Sequence, residues 1–246
     1  MEALAQIATP EFVFAFMITF TAATLQSTVG FGFALISVPI LELLNPVFAP
    51  VPQLVAVIPL TVVVVIREWH AVDPRSTAWI FAGRIPGAFL GVILLKLLAT
   101  GPLDVLMASM VGVGLALVVG SASFRRTRTS EFVAGVASGT MAMVSAIGGP
   151  PIAILYGKDR GPTVRANLGL VFAIGVCITL SVRTLAGEVT WTEVMIGLAF
   201  IPAVLLGVWA SRGLLTRVEG SRLRNAIVTV ASASALVLFV RGVLNW

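Results

Sequence analysis

Ser145-Ala-Ile-Gly-Gly-Pro-Pro151 sits in the middle of an apolar stretch running from Phe132 to Gly157, and Gln26-Ser-Thr-Val-Gly-Phe-Gly32 sits in the middle of another, between Glu11 and Glu42. The fold turns on these two interruptions. The first stretch holds 30 residues between its two glutamates without a charge. As one straight helix they would reach about 45 Å, well beyond a hydrocarbon core of about 30 Å. Pro150 and Pro151 lack the N–H groups that a continuing helix needs, and their rings clash with the preceding turn. Each stretch is therefore read as two half-helices meeting at a break.

The rest of the chain confirms the solvent. Of 246 residues, 58% are hydrophobic and 11% charged, and the mean hydropathy is +1.05. A soluble domain carries roughly 25% charged residues, so this is an integral membrane protein. Long uncharged stretches separated by short charged clusters mark helices rather than the alternating strands of a barrel. Ordinary spans are expected over 47–66, 76–98, 103–122, 166–182, 191–211 and 224–244, and hairpins over 12–44 and 132–157. The net charge of +5 sits in short loops and reads as a topology signal, which excludes nucleic acid as a partner. Cys177 is the only cysteine and is expected to be a small buried hydrophobe. The first basic residue is Arg67, so a cleavable signal peptide of the usual kind is not expected.

The chain also repeats itself. Ile85-Pro-Gly-Ala-Phe-Leu-Gly91 recurs as Ile201-Pro-Ala-Val-Leu-Leu-Gly207, and Arg67 recurs as Arg183, both at an offset of 116 residues. Ser27/Ser145 and Gly30/Gly148 are offset by 118. Residues 1–124 and 131–246 are thus two homologous halves joined by a polar cytoplasmic linker, 125–130.

Loop charges choose the topology. If each broken stretch crosses once, the basic residues divide seven against eight, with Arg84 inside a span. If each stretch enters and leaves on one side, the division becomes twelve against three. Arg67, Arg75, Arg125, Arg126, Arg128, Lys158, Arg160, Arg165, Arg212, Arg217, Arg222 and Arg224 then face Lys96, Arg183 and Arg241. The second count is what the positive-inside rule predicts, with both termini outside. The fold class is accordingly an all-α membrane protein of two inverted repeats, each a broken helical hairpin plus about three transmembrane helices. Paired, interrupted hydrophobic segments in two halves are a pointer to a transporter's substrate site.

At such a site, half-helix N-termini and the hydroxyls of Ser27, Thr28 and Ser145 suit an anion. Gly148 and Gly149 supply N–H groups there, since Pro150 and Pro151 have none. These glycines could equally serve close helix packing. Gln26 either donates to a substrate or caps the broken backbone, and Asn167 offers the same choice. Arg84 lies in an otherwise apolar span, where a cation costs at least about 2.5–3.5 kcal/mol and calls for a partner. It either binds an anion, or snorkels to the cytoplasmic face or pairs with a carbonyl. Pro86 and Pro202 sit at matching helix positions, for packing or as hinges. Glu42, Asp104 and Glu193 lie near span ends, leaving no evident coupling carboxylate. His70 is expected in a solvated or interfacial loop. No metal helix or nucleophile elbow is present, so no metal, cofactor or enzymatic chemistry is expected.

Two motifs, Gln-Ser-Thr-Val-Gly-Phe-Gly-Phe-Ala-Leu-Ile-Ser-Val-Pro-Ile-Leu (26–41) and Ser-Ala-Ile-Gly-Gly-Pro-Pro-Ile-Ala-Ile-Leu-Tyr-Gly (145–157), resemble the TauE/SafE sulfite exporter family. The resemblance spans nearly the whole chain. It implies a multi-pass carrier of the bacterial inner membrane for small organosulfur or sulfur oxyanions such as sulfite, sulfoacetate or thiosulfate. It assigns family positions to Gly30, Gly32 and Pro39, and to Gly148, Gly149, Pro150 and Pro151. Many members have a denser glycine run where Phe31 and Phe33 stand here, which narrows the tip or favours a substrate with an apolar part. The expected partners are a small anion and the lipid bilayer, with a homodimer left open. A passive anion channel, a carrier of small carboxylates and a non-transporting scaffold are the competing readings.

Overall fold

The computed structural model describes residues 2–74, 77–119, 125–156, 159, 161–214 and 221–244. Arg75, Lys158, Arg160 and Arg217 of the charge count, and Gly157, lie outside the described residues. Among the described residues the chain is all-helical, with no strand. Its helices are α1 (Glu2–Ile7), α2 (Pro10–Val29), α3 (Phe33–Leu44), α4 (Val51–Arg67), α5 (Ala78–Leu97), α6 (Thr100–Val119), α7 (Arg128–Ser145), α8 (Pro150–Ala153), α9 (Gly161–Leu185), α10 (Trp191–Leu214) and α11 (Ser221–Leu244). Five of them are long and apolar enough to cross a membrane: α2, α4 with its preceding turn, α5, α9 and α10. Large apolar side chains such as Phe14, Ile66, Phe89 and Leu206 are exposed on their outer faces. In lipid no solvation penalty attaches to that arrangement.

The first interruption is a reversal of direction. Gly30 and Gly32 adopt φ of 103° and 116°, a left-handed conformation that glycine enters without a Cβ clash. Phe12 packs on Phe48, Thr19 meets Gln53 and Ser27 meets Arg67, so α4 runs in the same direction as α2. A chain that crossed once through α2 and α3 would make α4 antiparallel. Instead α3 runs back beside α2, and Asn45 at its end bonds to Gln6 and Glu11 at the start. The second interruption behaves alike: Arg126, just before α7, pairs with Asp159 and lies over the Tyr156 ring.

The arms of these hairpins are unequal, which corrects the expectation of half-helices. α2 has 20 residues and α7 has 18, about 30 and 27 Å of helix. Only the returning arms are short: α3 has 12 residues, and α8 is one turn followed by a 3₁₀ turn at Ile154–Tyr156.

Close packing rests on small residues. Gly83, Gly87 and Gly91 of α5 face Phe132, Val136 and Met143 of α7, while Gly135 and Gly139 of α7 face Ile80 and Arg84 of α5. A Cβ at any of the five would overlap atoms of the neighbouring helix. The two helices therefore run parallel in contact, as small-xxx-small seams allow where lipid offers no hydrophobic drive for association. In the corresponding place of the other half α10 packs along α2, with Gly207 against Phe20 and Ala23. The pairs α11·α3 and α6·α8 likewise exchange when the halves are exchanged.

Charges gather at the bundle's ends. Arg67, Glu68 and Arg165 form one cluster, and Arg126, Glu131 and Asp159 form another at the same end. At the far end Arg241 grips Asp104 through two bonds of 2.8 and 2.9 Å and also reaches Glu42, tying α11 to α6 and α3. Exposed Trp69 and Trp79 flank the loop before α5, and Trp191 stands at the opposite end, as interfacial tryptophans do. Cys177 is exposed, not buried; on a lipid-facing helix a small hydrophobe gains nothing by facing inward.

Candidate functional site

The two tips meet. A Cβ placed on Gly149 would lie 3.5 Å from Cβ of Phe31 and 3.4 Å from Cζ of Phe172. Beside this contact lies a cleft lined from both hairpins and from α4, α5 and α9. Of the residues singled out from the sequence, Gln26, Gly32, Arg84, Gly148, Gly149 and Pro150 line it. Phe33 lines it as well, so one of the two interrupting rings narrows the cleft while Phe31 packs between the tips.

Ser27, Thr28, Gly30, Ser145 and Pro151 do not line the cleft. Ser27 bonds to Arg67 and Ser211 on the far side of α2. Thr28 and Ser145 return their hydroxyl protons to carbonyls in their own helices, Thr24 and Met141. That is the usual fate of a hydroxyl on a helix in an apolar medium. Gly30 abuts Arg165 instead, and Pro151 is buried in the single turn of α8. Asn167 is a structural residue: its side chain accepts from the Asp73 N–H and donates to Ala71 and Thr163 carbonyls.

Gln26 does cap the break. Its Oε1 accepts the Phe33 N–H at 3.0 Å, satisfying one of the donors that every helix start leaves free. Its amide nitrogen makes no bond to protein among the described residues, and the residue is 6% exposed. The short α8 cannot add much of a dipole, because that effect sums over aligned peptides.

Among the described residues Arg84 is the charged one of the lining, and no Asp or Glu joins it there. It is 3% exposed, which removes the snorkelling reading. Its Nη1 donates to Ser138 Oγ at 2.6 Å, and Ser138 Oγ donates to the Gly148 carbonyl at 2.6 Å. Nε is buried with no hydrogen-bond partner among the described residues, and the guanidinium fills the space left by Gly175 at mid-length of α9. A buried cation without a counter-charge is costly unless something anionic visits it.

Two structural arginines lay hidden among the loop charges. Arg183 is 4% exposed and donates to the Met143 and Val144 carbonyls at the end of α7. Arg67 donates to Ser27 O, at the end of α2, at 2.7 Å. Each caps the negative end of a hairpin's long arm. Their shared offset of 116 was the available signal. Placing Arg183 in a loop also cut the expected span 166–182 short, since α9 runs on through Leu185. Ser138 and Gly175 carried no signal of their own, being ordinary small residues of apolar helices.

No curated protein and no solved structure matches the chain. The profile of one family, Sulfite exporter TauE/SafE, matches residues 15–238. The match takes in both hairpins, the cleft and every long helix from α2 to α11. With that coverage over an all-helical bundle, the chain belongs to the TauE/SafE sulfite exporter family of membrane transporters, which are not enzymes.

Proposed function

We propose that this protein carries sulfite or a related small sulfur or organosulfur anion across a bacterial inner membrane, binding it at Arg84 in the cleft between the hairpin tips. The carrying observation is the buried guanidinium itself. It lines a cleft with no carboxylate in its lining, and two of its three nitrogens have no protein hydrogen bond. Gln26, through its free amide nitrogen, is a second donor. An otherwise apolar wall formed by Phe33, Leu54, Val57 and Phe172 excludes water and strengthens the attraction between guanidinium and anion. Such a wall also tolerates a short apolar substituent, so small carboxylates are the competing cargo.

The transport cycle follows from the duplication. The two halves form inverted repeats, and exposure of the cleft alternates between the faces as the hairpins exchange roles. Support comes from the helix pairs that map onto each other when the halves are exchanged. It comes also from the hairpin bases: Asn45 closes one beside Gln6 and Glu11, and Asp159 closes the other beside Arg126. The end carrying Arg67, Arg126 and Arg165 faces the cytoplasm by the positive-inside rule. Gln6 and Arg241 both lie at the other end, beside Asn45 and Glu42, so both termini are outside.

Flux of sulfite into proteoliposomes tests the reading. Wild type is expected to show saturable flux, and Arg84→Ala, at matched gel-filtration profile, to lose it. Saturable flux retained in Arg84→Ala would remove Arg84 from the site, and flux that rises linearly without saturation in wild type would mark a channel.

A further inference from the structure

Resting on the reading of Arg84 as the anion's ligand, we infer that Ser138 is its positioning residue, fixing the guanidinium to the tip of the second hairpin. A serine has a single O–H to donate and two lone pairs to accept with. Ser138 spends its proton on the Gly148 carbonyl at 2.6 Å, so its lone pairs face Arg84 Nη1, which donates to it at 2.6 Å. The direction of both bonds is thereby settled. Ser138 is fully buried, so water does not replace either partner.

The opposite side of the guanidinium is set by Gly175. A Cβ there would run into Cζ, Nε and Nη2 of Arg84, so α9 leaves a slot of one side chain's width. Held at Nη1 by Ser138 and backed along Cζ, Nη2 and Nε by the slot, the guanidinium has one orientation, and the anion meets it already oriented. Pre-paid orientation of this kind raises affinity without a new contact to the ligand. The chain of bonds also runs through the tip: displacement of Gly148 removes the acceptor that orients the Ser138 hydroxyl. Affinity at Arg84 is therefore tied to the position of the second hairpin, which an alternating carrier requires of its binding site.

The test is concentration-dependent flux in proteoliposomes, using whichever of sulfite, thiosulfate and sulfoacetate the wild type carries. Ser138→Ala is expected to raise KM about tenfold, the worth of a hydrogen bond to a charged group, with the maximal rate changed less than about twofold. Ser138→Thr, which keeps the hydroxyl, is expected to restore KM to within about threefold. Should Ser138→Ala not give monodisperse protein, Ser138→Cys keeps the volume but is a weak acceptor, and its KM is read instead. Gly175→Ala attacks the same guanidinium from α9 and is expected to raise KM as well. In an Arg84→Ala background, Ser138→Ala is expected to change nothing further in anion-dependent thermal stabilisation.

The failures are distinguishable. Saturable flux at wild-type KM in Arg84→Ala overturns the anion site and this inference together, as does the absence of flux for all three anions. Lost flux in Arg84→Ala with an unchanged KM in Ser138→Ala, or in Ser138→Cys where that is read, overturns the positioning role alone. A fall in maximal rate at unchanged KM overturns it too.

Discussion

The two halves of this protein use one device twice and another only once. Arg67 and Arg183, at equivalent positions, each close the carbonyl end of a hairpin's long arm. Arg84 has no such twin: its equivalent is Phe200, which stacks on Phe12 at 4.8 Å and meets Phe48 edge-on at 6.0 Å. Both caps supply what any broken helix in lipid needs, satisfaction of its exposed carbonyls. The buried cation, costly in an apolar medium, stands at only one of the two positions that share the offset of 116 residues. One position lines the cleft with a charge and the other fills the core with an aromatic ring, so the cleft is charged from one side.

The largest expected effect concerns which face of the membrane each hairpin enters from. In a Cys177→Ala background, cysteines at Asn45 and Asp159 are expected to react with an impermeant reagent from opposite faces of the membrane. Labelling of both from one face would end the inverted-repeat reading. Next in size is Phe200→Arg, which places in the second half the charge that the first half carries. With no Ser138 equivalent and no slot to receive it, the buried cation is expected to cost about 3–5 kcal/mol or more and to prevent recovery of monodisperse protein. A folded Phe200→Arg would show that the halves are interchangeable.

Smaller effects separate the two caps. Arg183→Ala leaves two buried carbonyls without a donor and is expected to lower stability by about 2–3 kcal/mol, read as a fall in the thermal unfolding midpoint in detergent. Arg67 has a more exposed side chain, at 24% against a whole-residue exposure of 4% for Arg183. Water reaches its end of the bundle, so Arg67→Ala is expected to cost about 1 kcal/mol. Equal losses would mean that the two hairpin ends are equally dry. Least of all, Cys177→Ala on the outer face of α9 is expected to shift stability by under about 0.5 kcal/mol, which makes it a usable background for labelling.

Legibility followed the kind of signal. Glycine and proline in the wrong place for a helix marked both breaks, because Pro150 and Pro151 forbid the backbone bond whatever surrounds them. Arg84 stood out because charge in an apolar run is expensive in any context. Ser27, Thr28 and Ser145 misled for the converse reason. A hydroxyl near a break has a carbonyl one turn back in its own helix, and only the direction of the side chain decides whether it takes that bond or faces the cleft. The seam of Gly83, Gly87 and Gly91 against Gly135 and Gly139 was readable as small residues four apart, but not which helices it joined.

Read alone, the amino-acid order established the solvent, the helical class, the two interruptions, the recurring Arg and Ile-Pro landmarks and one out-of-place cation. Those are local properties: hydropathy, backbone donors and desolvation act on a residue wherever its neighbours lie. Tertiary structure alone decided that the long arms α2 and α7 are full helices and that two basic residues turn inward to close their ends. It also decided that Gln26 caps α3 while its nitrogen stays free, and that Ser138 and Gly175 flank the guanidinium. In a bundle apolar on both its inner and outer faces, hydropathy does not say which side of a helix looks inward. Packing does, through the few places where backbones approach closely enough for polar groups to find each other.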